Sequence, residues 1–119
     1  MSKHVYWILE LKINSGQMTN FKSLMAEMVT ATKQDESGAL NYEWSLDADQ
    51  EICHILERYE DSAATLVHMQ NFGSKFAKRF MEVFSPTKFT LYGSPSDDVL
   101  AALAPMAPVQ MSSVGGFSR

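Results

Sequence analysis

The chain has 119 residues, a formal net charge of −4 and a pI near 5.2, and its basic residues are scattered, which leaves no electrostatic footprint for nucleic acid. Hydrophobic residues make up 45%, enough for one globular core, and no apolar run approaches the roughly 20 residues of a membrane helix. So short a chain reads as one fold that gains by burying further surface against another copy of itself.

The start, MSKHVYWILEL, passes from one Lys straight into strand-like alternation, without the apolar core and cleavage site of a signal peptide. The single cysteine, Cys53, can make no internal disulfide and reads as a small buried strand residue. Both point to a cytoplasmic protein.

Residues 5–13 alternate, with Val5, Trp7, Leu9, Leu11 and Ile13 on one face and His4, Tyr6, Ile8, Glu10 and Lys12 on the other. Asn14, Ser15 and Gly16 break this strand, and Thr19 or Asn20 is the expected cap of the helix that follows. Met18, Phe21, Met25, Met28 and Val29 recur there at helical spacing, a Met-rich stripe that is core first and pocket wall second. Glu36, Ser37 and Gly38 end the helix, with Gly38 suited to a left-handed C′ position. A second strand over residues 39–46 places Leu40, Tyr42, Trp44 and Leu46 on one face, and the polar turn 47–50 makes a hairpin to a third strand over 51–59.

Asp61 then reads as the N-cap of a second helix, its carboxylate accepting from the free amides of the first turn. Gly73 and Ser74 mark a break, and residues 75–84 form a short further helix with Phe76, Phe80 and Phe84 four apart, closed by Pro86. A fourth strand covers residues 87–92. Beyond Gly93 an acidic start announces a helix over 97–103, after which Pro105 and Pro108 prevent regular structure, and the end SSVGGFSR is either disordered or docks Val114 or Phe117 on a partner or over a pocket mouth.

The order βαββαβ predicts a ferredoxin-like α+β sandwich over residues 1–93, with an antiparallel four-stranded sheet, followed by a C-terminal extension over 94–119. Helices cover one face of such a sheet. Val5, Trp7, Leu9 and Leu11 are expected on the uncovered face, making it an apolar patch too large for a monomer and predicting a homodimer with sheets packed face to face.

No phosphate-cradling glycine loop, HExxH, CxxC or nucleophile elbow occurs, and His4, His54 and His68 have no metal-ligand spacing, so no metal site is expected. The best proton-transfer chemistry lies within residues 52–72. Glu57 and Tyr59 point to the same face of one strand, and a buried carboxylate there must find a donor, either as a structural hydrogen bond or in a reaction. His68, beside Val67 at the edge of a helix's apolar face, is either a satisfied core histidine or the one group titrating near neutral pH in a chamber formed with Tyr42, Trp44, Tyr59, Phe72 and Phe76. Such a chamber suits a flat, apolar, hydroxylated ligand.

The run Glu36-Ser37-Gly38-Ala39-Leu40-Asn41-Tyr42-Glu43, followed by Glu57-Arg58-Tyr59-Glu60-Asp61, Ala63-Ala64 and His68, resembles the antibiotic biosynthesis monooxygenase (ABM) domain family, the quinol monooxygenase-like group of the dimeric α/β barrel superfamily. The resemblance spans roughly residues 3–92. It implies a dimer of ferredoxin-like protomers, each with a pocket between sheet and helices, and oxygenation of a phenolic or quinol small molecule by O₂ without flavin, haem or metal. It also implies His68 as base or hydrogen-bond partner, Glu57 as its supporting carboxylate, and Tyr42, Trp44, Tyr59 and Phe72 as walls. Haem-degrading relatives use an Asn on the first strand, where this chain has none before Asn14. The competing reading is a non-catalytic dimeric ligand-binding or stress-response module of the same fold.

Overall fold

The computed structural model describes residues 2–119. Strand β1 (Val5–Ile13) leads into helix α1 (Met18–Asp35), the hairpin β2 (Ala39–Leu46) and β3 (Ile52–Tyr59), helices α2 (Ser62–Lys75) and α3 (Ala77–Val83), strand β4 (Phe84–Gly93), helix α4 (Asp97–Leu103), a 3₁₀ turn (Ala104–Met106) and the two-residue strand β5 (Val109–Gln110). The sheet runs β2-β3-β1-β4-β5, so β1 and β3 lie inside it and the first four strands are antiparallel. This is the expected ferredoxin-like α+β fold.

One strand was not foreseen. β5 pairs parallel with β4, and Met111 N donates to Leu91 O at 2.8 Å, so residues beyond Pro108 return to the free edge of β4. Ala107, in the left-handed region at φ 50°, turns the chain between the two prolines. The prolines restrict local conformation but do not stop an edge from recruiting backbone partners. The helix over 97–103 forms as predicted, capped by Ser96 Oγ accepting from Val99 N at 3.2 Å, and it buries Val99 and Leu103.

The assignment of sheet faces is reversed. Val5, Trp7, Leu9, Leu11 and Ile13 lie beneath the helices in the core with Cys53, Ile55, Phe89 and Leu91. The open face carries the alternate set, Tyr6, Ile8, Ile52, Leu56 and Tyr92, interspersed with Glu10, His54 and Arg58. Hydrophobicity decides this: the wholly apolar face of β1 loses most by facing water, and the mixed face tolerates it.

Several boundaries also move. Helix α1 starts without a side-chain cap, after Gln17 rather than Thr19 or Asn20. Helix α2 continues through Gly73 and Ser74, and the chain bends at Phe76. Pro86 lies within β4, where the register with β1 shifts between Glu10 and Leu11. A bulge is where a strand tolerates a residue without an N–H. Gly38 is absent from the positive-φ glycines; it is needed because a Cβ would land 2.5 Å from Ala64 Cβ, so the backbone between α1 and β2 can approach α2 closely.

Candidate active site

The site is built on one row of the sheet's covered face. The registers set Tyr42 of β2 opposite Glu57 of β3, and Glu57 opposite Trp7 of β1, so three large side chains stand side by side beneath the helices. Tyr59, two residues after Glu57, shares that face by the pleat, and its hydroxyl donates to Glu57 Oε1 at 2.6 Å.

Helix α2 supplies the other half. Its start is held by Asp61, which accepts from Ala64 N at 2.8 Å. Thr65 and His68, three residues apart, are the buried residues of the helix, a polar pair set among the partly buried Ala64, Met69 and Phe72 that pack on the core. His68 Nδ1 lies 2.8 Å from Glu36 Oε1, and Nε2 lies 3.1 Å from Glu57 Oε1. The side chains of all three are at most 6% exposed.

Burial works against a charge on His68, but hydrogen bonds to Glu36 and Glu57, reinforced by their negative charges, outweigh it and push the imidazole pKa up to about 9. Geometry says the same: a neutral imidazole has one N–H to donate, and here both nitrogens face carboxylate oxygens. The arrangement favours an imidazolium at neutral pH, and of the two roles the resemblance implied for His68, base or hydrogen-bond partner, it favours the second. Burial, followed by the charge of Glu57, raises the pKa of both Tyr42 and Tyr59, so both phenols are neutral donors.

In front of this group is a narrow pocket walled by Trp7, Tyr42, Phe72 and Phe89, with Glu57 and His68 as its polar lining. The interactions recorded for Glu57 fall on Oε1, leaving Oε2 without a partner among the described residues. The pocket thus offers a ligand one acceptor in an apolar chamber.

The expected site residues divide. His68, Glu57, Tyr59 and Tyr42 converge, the last with its ring 5.6 Å from the His68 ring, and Phe72 lines the pocket. Trp44 lies further along β2, packing against Phe21 and Phe84 at 6.1 and 6.0 Å. Phe76 lines a separate cleft between α1 and α2.

Sequence reasoning missed Glu36 as a site residue, having read it only as the end of a helix. A signal was present: a carboxylate at a helix C-terminus meets the negative end of the dipole and belongs there only for another reason. Trp7, placed on the face expected to be open, is instead 2% exposed in the pocket wall. Among the described residues, no group of three or more His, Cys, Asp or Glu side chains is arranged to hold a metal, and no helix is long and apolar enough to cross a membrane.

No curated protein sequence matches the chain significantly. Among solved structures it is similar to MupZ from Pseudomonas fluorescens, with 23% identity, coverage of 99% of this chain and 96% of that one, and a TM-score of 0.86. PA3566 from Pseudomonas aeruginosa is similar at 20% identity over 76% of this chain and 93% of that one, with a TM-score of 0.64. A conserved protein from Methanosarcina mazei Go1 follows at 18% identity, 76% and 91% coverage and a TM-score of 0.65. At these identities the likeness establishes the fold. Membership rests on the family model for antibiotic biosynthesis monooxygenase, which matches residues 5–82, including β1, the Glu57–Tyr59 pair and His68. The chain belongs to the antibiotic biosynthesis monooxygenase family.

Proposed function

We propose that this protein is a cofactor-independent monooxygenase that oxidises a phenolic or quinol-type aromatic with O₂. One observation carries the reading: a single free carboxylate oxygen, Glu57 Oε2, in the lining of an apolar aromatic pocket and backed by an imidazolium.

The phenol hydroxyl donates to Glu57 Oε2 and gives up its proton there as the ring becomes electron-rich. Charge is conserved within the dry site: Glu57 is neutralised, the phenolate appears, and His68 exchanges one anionic partner for another. The low dielectric makes that pairing strong, and Tyr42 and Trp7 hold the ring flat against the sheet. One electron passes from the phenolate to O₂. The resulting radical and superoxide combine to form a carbon–oxygen bond para to the hydroxyl. Loss of the proton at that carbon and cleavage of the O–O bond leave a quinone, and the departing hydroxide takes a proton to become water. The sum is phenol plus O₂ to quinone plus water, with the substrate supplying the electrons.

A homodimer accompanies this reading. Leu56 at 38% exposure, with Ile8, Ile52 and the stacked Tyr6 and Tyr92 rings 5.2 Å apart, makes the open sheet face a surface that a second sheet covers. A monomeric mass by light scattering at micromolar concentration would sink that part. A reducing cytoplasm suits the single buried thiol, Cys53, whose pKa burial raises to about 12.

The test is O₂ uptake with a panel of dihydroxynaphthalenes in the presence of chelator. One O₂ consumed per quinone formed, lost in His68→Ala, supports the enzyme. Turnover unchanged by that substitution refutes the assigned site, and saturable binding without product assigns the pocket to a ligand-binding module.

A further inference from the structure

We propose that Glu36 is a positioning residue that keeps His68 a cation, acting from a cleft on the far side of the imidazole from the ligand pocket. The inference rests on the functional reading above for its purpose, but its evidence is structural and stands apart from any substrate.

Glu57 alone would not require a charged ring, because a neutral imidazole protonated on Nε2 satisfies one carboxylate. The second carboxylate creates the demand. Glu36 Oε1 at 2.8 Å from Nδ1 is the closer of the two, and only a ring with both N–H groups donates to both carboxylates at once. Glu36 has no part in the front pocket, so it acts on a ligand only through His68.

Its placement is costly unless it has such a role. Glu36 is the C-cap of α1, where the negative end of the helix dipole disfavours a carboxylate. Its backbone is tied on both sides, its N–H donating to Thr32 O at 3.0 Å and its carbonyl accepting from Ala39 N at 3.0 Å. Asn71, one turn beyond His68 on α2, donates to the second carboxylate oxygen at 3.3 Å. One helix end and one helix face thus converge on a single pair.

Behind the pair, a cleft between α1 and α2 reaches Glu36, Asn71 and His68, and is lined also by Asp35 and Lys75, 3.9 Å apart and each about half exposed. His68 stands between this polar cleft and the apolar pocket. Its proton can therefore exchange with solvent through the back while a ligand fills the front. The titratable groups facing His68 are Glu36 from the end of α1, Glu57 and Tyr59 from β3, and Tyr42 from β2. Since both phenols stay neutral, the two carboxylates alone set its charge. When Glu57 takes a proton from a ligand, Glu36 is the anion that remains to hold the imidazolium.

The experiment follows the ring nitrogens of His68 by ¹⁵N NMR from pH 5 to pH 10.5 in the ligand-free full chain, in wild type, Glu36→Gln and Glu36→Asp. The expected result is a wild-type ring protonated on both nitrogens at pH 7.5. Glu36→Gln should titrate at least one pH unit lower, a loss of about tenfold or more in proton affinity, and Glu36→Asp should recover most of it. A wild-type ring neutral at pH 7, or a Glu36→Gln midpoint within about 0.3 units of wild type, would overturn the proposal. If Glu36→Gln fails to fold, Glu57→Gln decides: with Glu36 still facing Nδ1 the ring should remain protonated at pH 7.5, and a ring neutral at that pH would overturn the proposal. No substrate enters, so a shifted midpoint with no turnover on any phenol counts against the monooxygenase reading alone. Normal turnover with an unshifted midpoint counts against Glu36 alone.

Discussion

The molecule contains two histidine–glutamate pairings on opposite sides of the same sheet. On the open face His54 Nε2 lies 3.5 Å from Glu10 Oε1, with side chains 49% and 32% exposed. On the covered face His68 is held by Glu36 and Glu57 at 2.8 and 3.1 Å, with every side chain at most 6% exposed. The residue types are the same and the consequences differ. In the single chain, solvent screens this pair and hydrates each partner alone, so there the contact contributes about 0–1 kcal/mol. Under the helices the partners are shielded from water, and beyond each other they have only the Tyr59 hydroxyl on Glu57 and the Asn71 amide on Glu36. The charges depend on each other, and the imidazolium is favoured well above the pH at which a free imidazole loses its proton. Burial, more than residue identity, makes one pair a candidate site.

Substitutions that convert one environment toward the other break this comparison most sharply. Glu57→Gln removes the pocket's only free carboxylate oxygen and half the counter-charge of His68; turnover on a responsive phenol should fall about 10²- to 10⁴-fold, as for loss of a general base, in the O₂-uptake assay. An unchanged rate would show that the buried pair is structural.

The second prediction concerns pH. The folded-state pKa of His68, about 9, lies above its ordinary value of 6.5, so folding favours the charged ring. That stabilisation is complete below about pH 6.5 and is lost as pH rises towards 9, with a total on the order of 3 kcal/mol. Urea unfolding at pH 6, 7.5 and 9 should show stability falling across that window, with the slope flattened in His68→Leu. Equal stability at pH 6 and 9 would contradict the assignment.

Smaller again is the effect of the packing that brings α2 down over the site. Gly38→Ala puts a methyl 2.5 Å from Ala64 Cβ, forcing the α1–β2 connection away from α2, and should cost about 1–3 kcal/mol in thermal or urea unfolding. At the lower end, His54→Ala on the open face, remote from the pocket, should leave turnover intact and change the stability of the isolated protomer by no more than about 0.5 kcal/mol. A loss comparable to that of Glu57→Gln would mean that the open face takes part in the chemistry.

Much of the frame was legible. Alternation in β1 and β3, the Asp61 cap and the acidic start of α4 are local signals, and each appears where it was read. The convergence of Glu57, Tyr59, Tyr42 and His68 was legible from pleat, register and family pattern together. Glu36 was not, because 32 residues separate it from His68 and no periodicity connects a helix C-cap to the middle of another helix. Trp44, packed on Tyr42 but not lining the pocket, and Phe76, in the neighbouring cleft, stand off the pocket for a related reason. Sharing an element with a site residue fixes the side of the sheet or helix, but not the distance along it.

What the sequence by itself determined was the element order, the apolar identity of each strand face and the residue types available for proton transfer, all of which follow from periods of 2 and 3.6 and from caps. Only the tertiary structure decided which face of β1 the helices cover, how the chain after Pro108 meets β4, and that a carboxylate from the end of α1 reaches a histidine already paired with β3. These outcomes depend on competition between surfaces far apart in the chain, where burial, dielectric and close approach act together and no short stretch contains the answer.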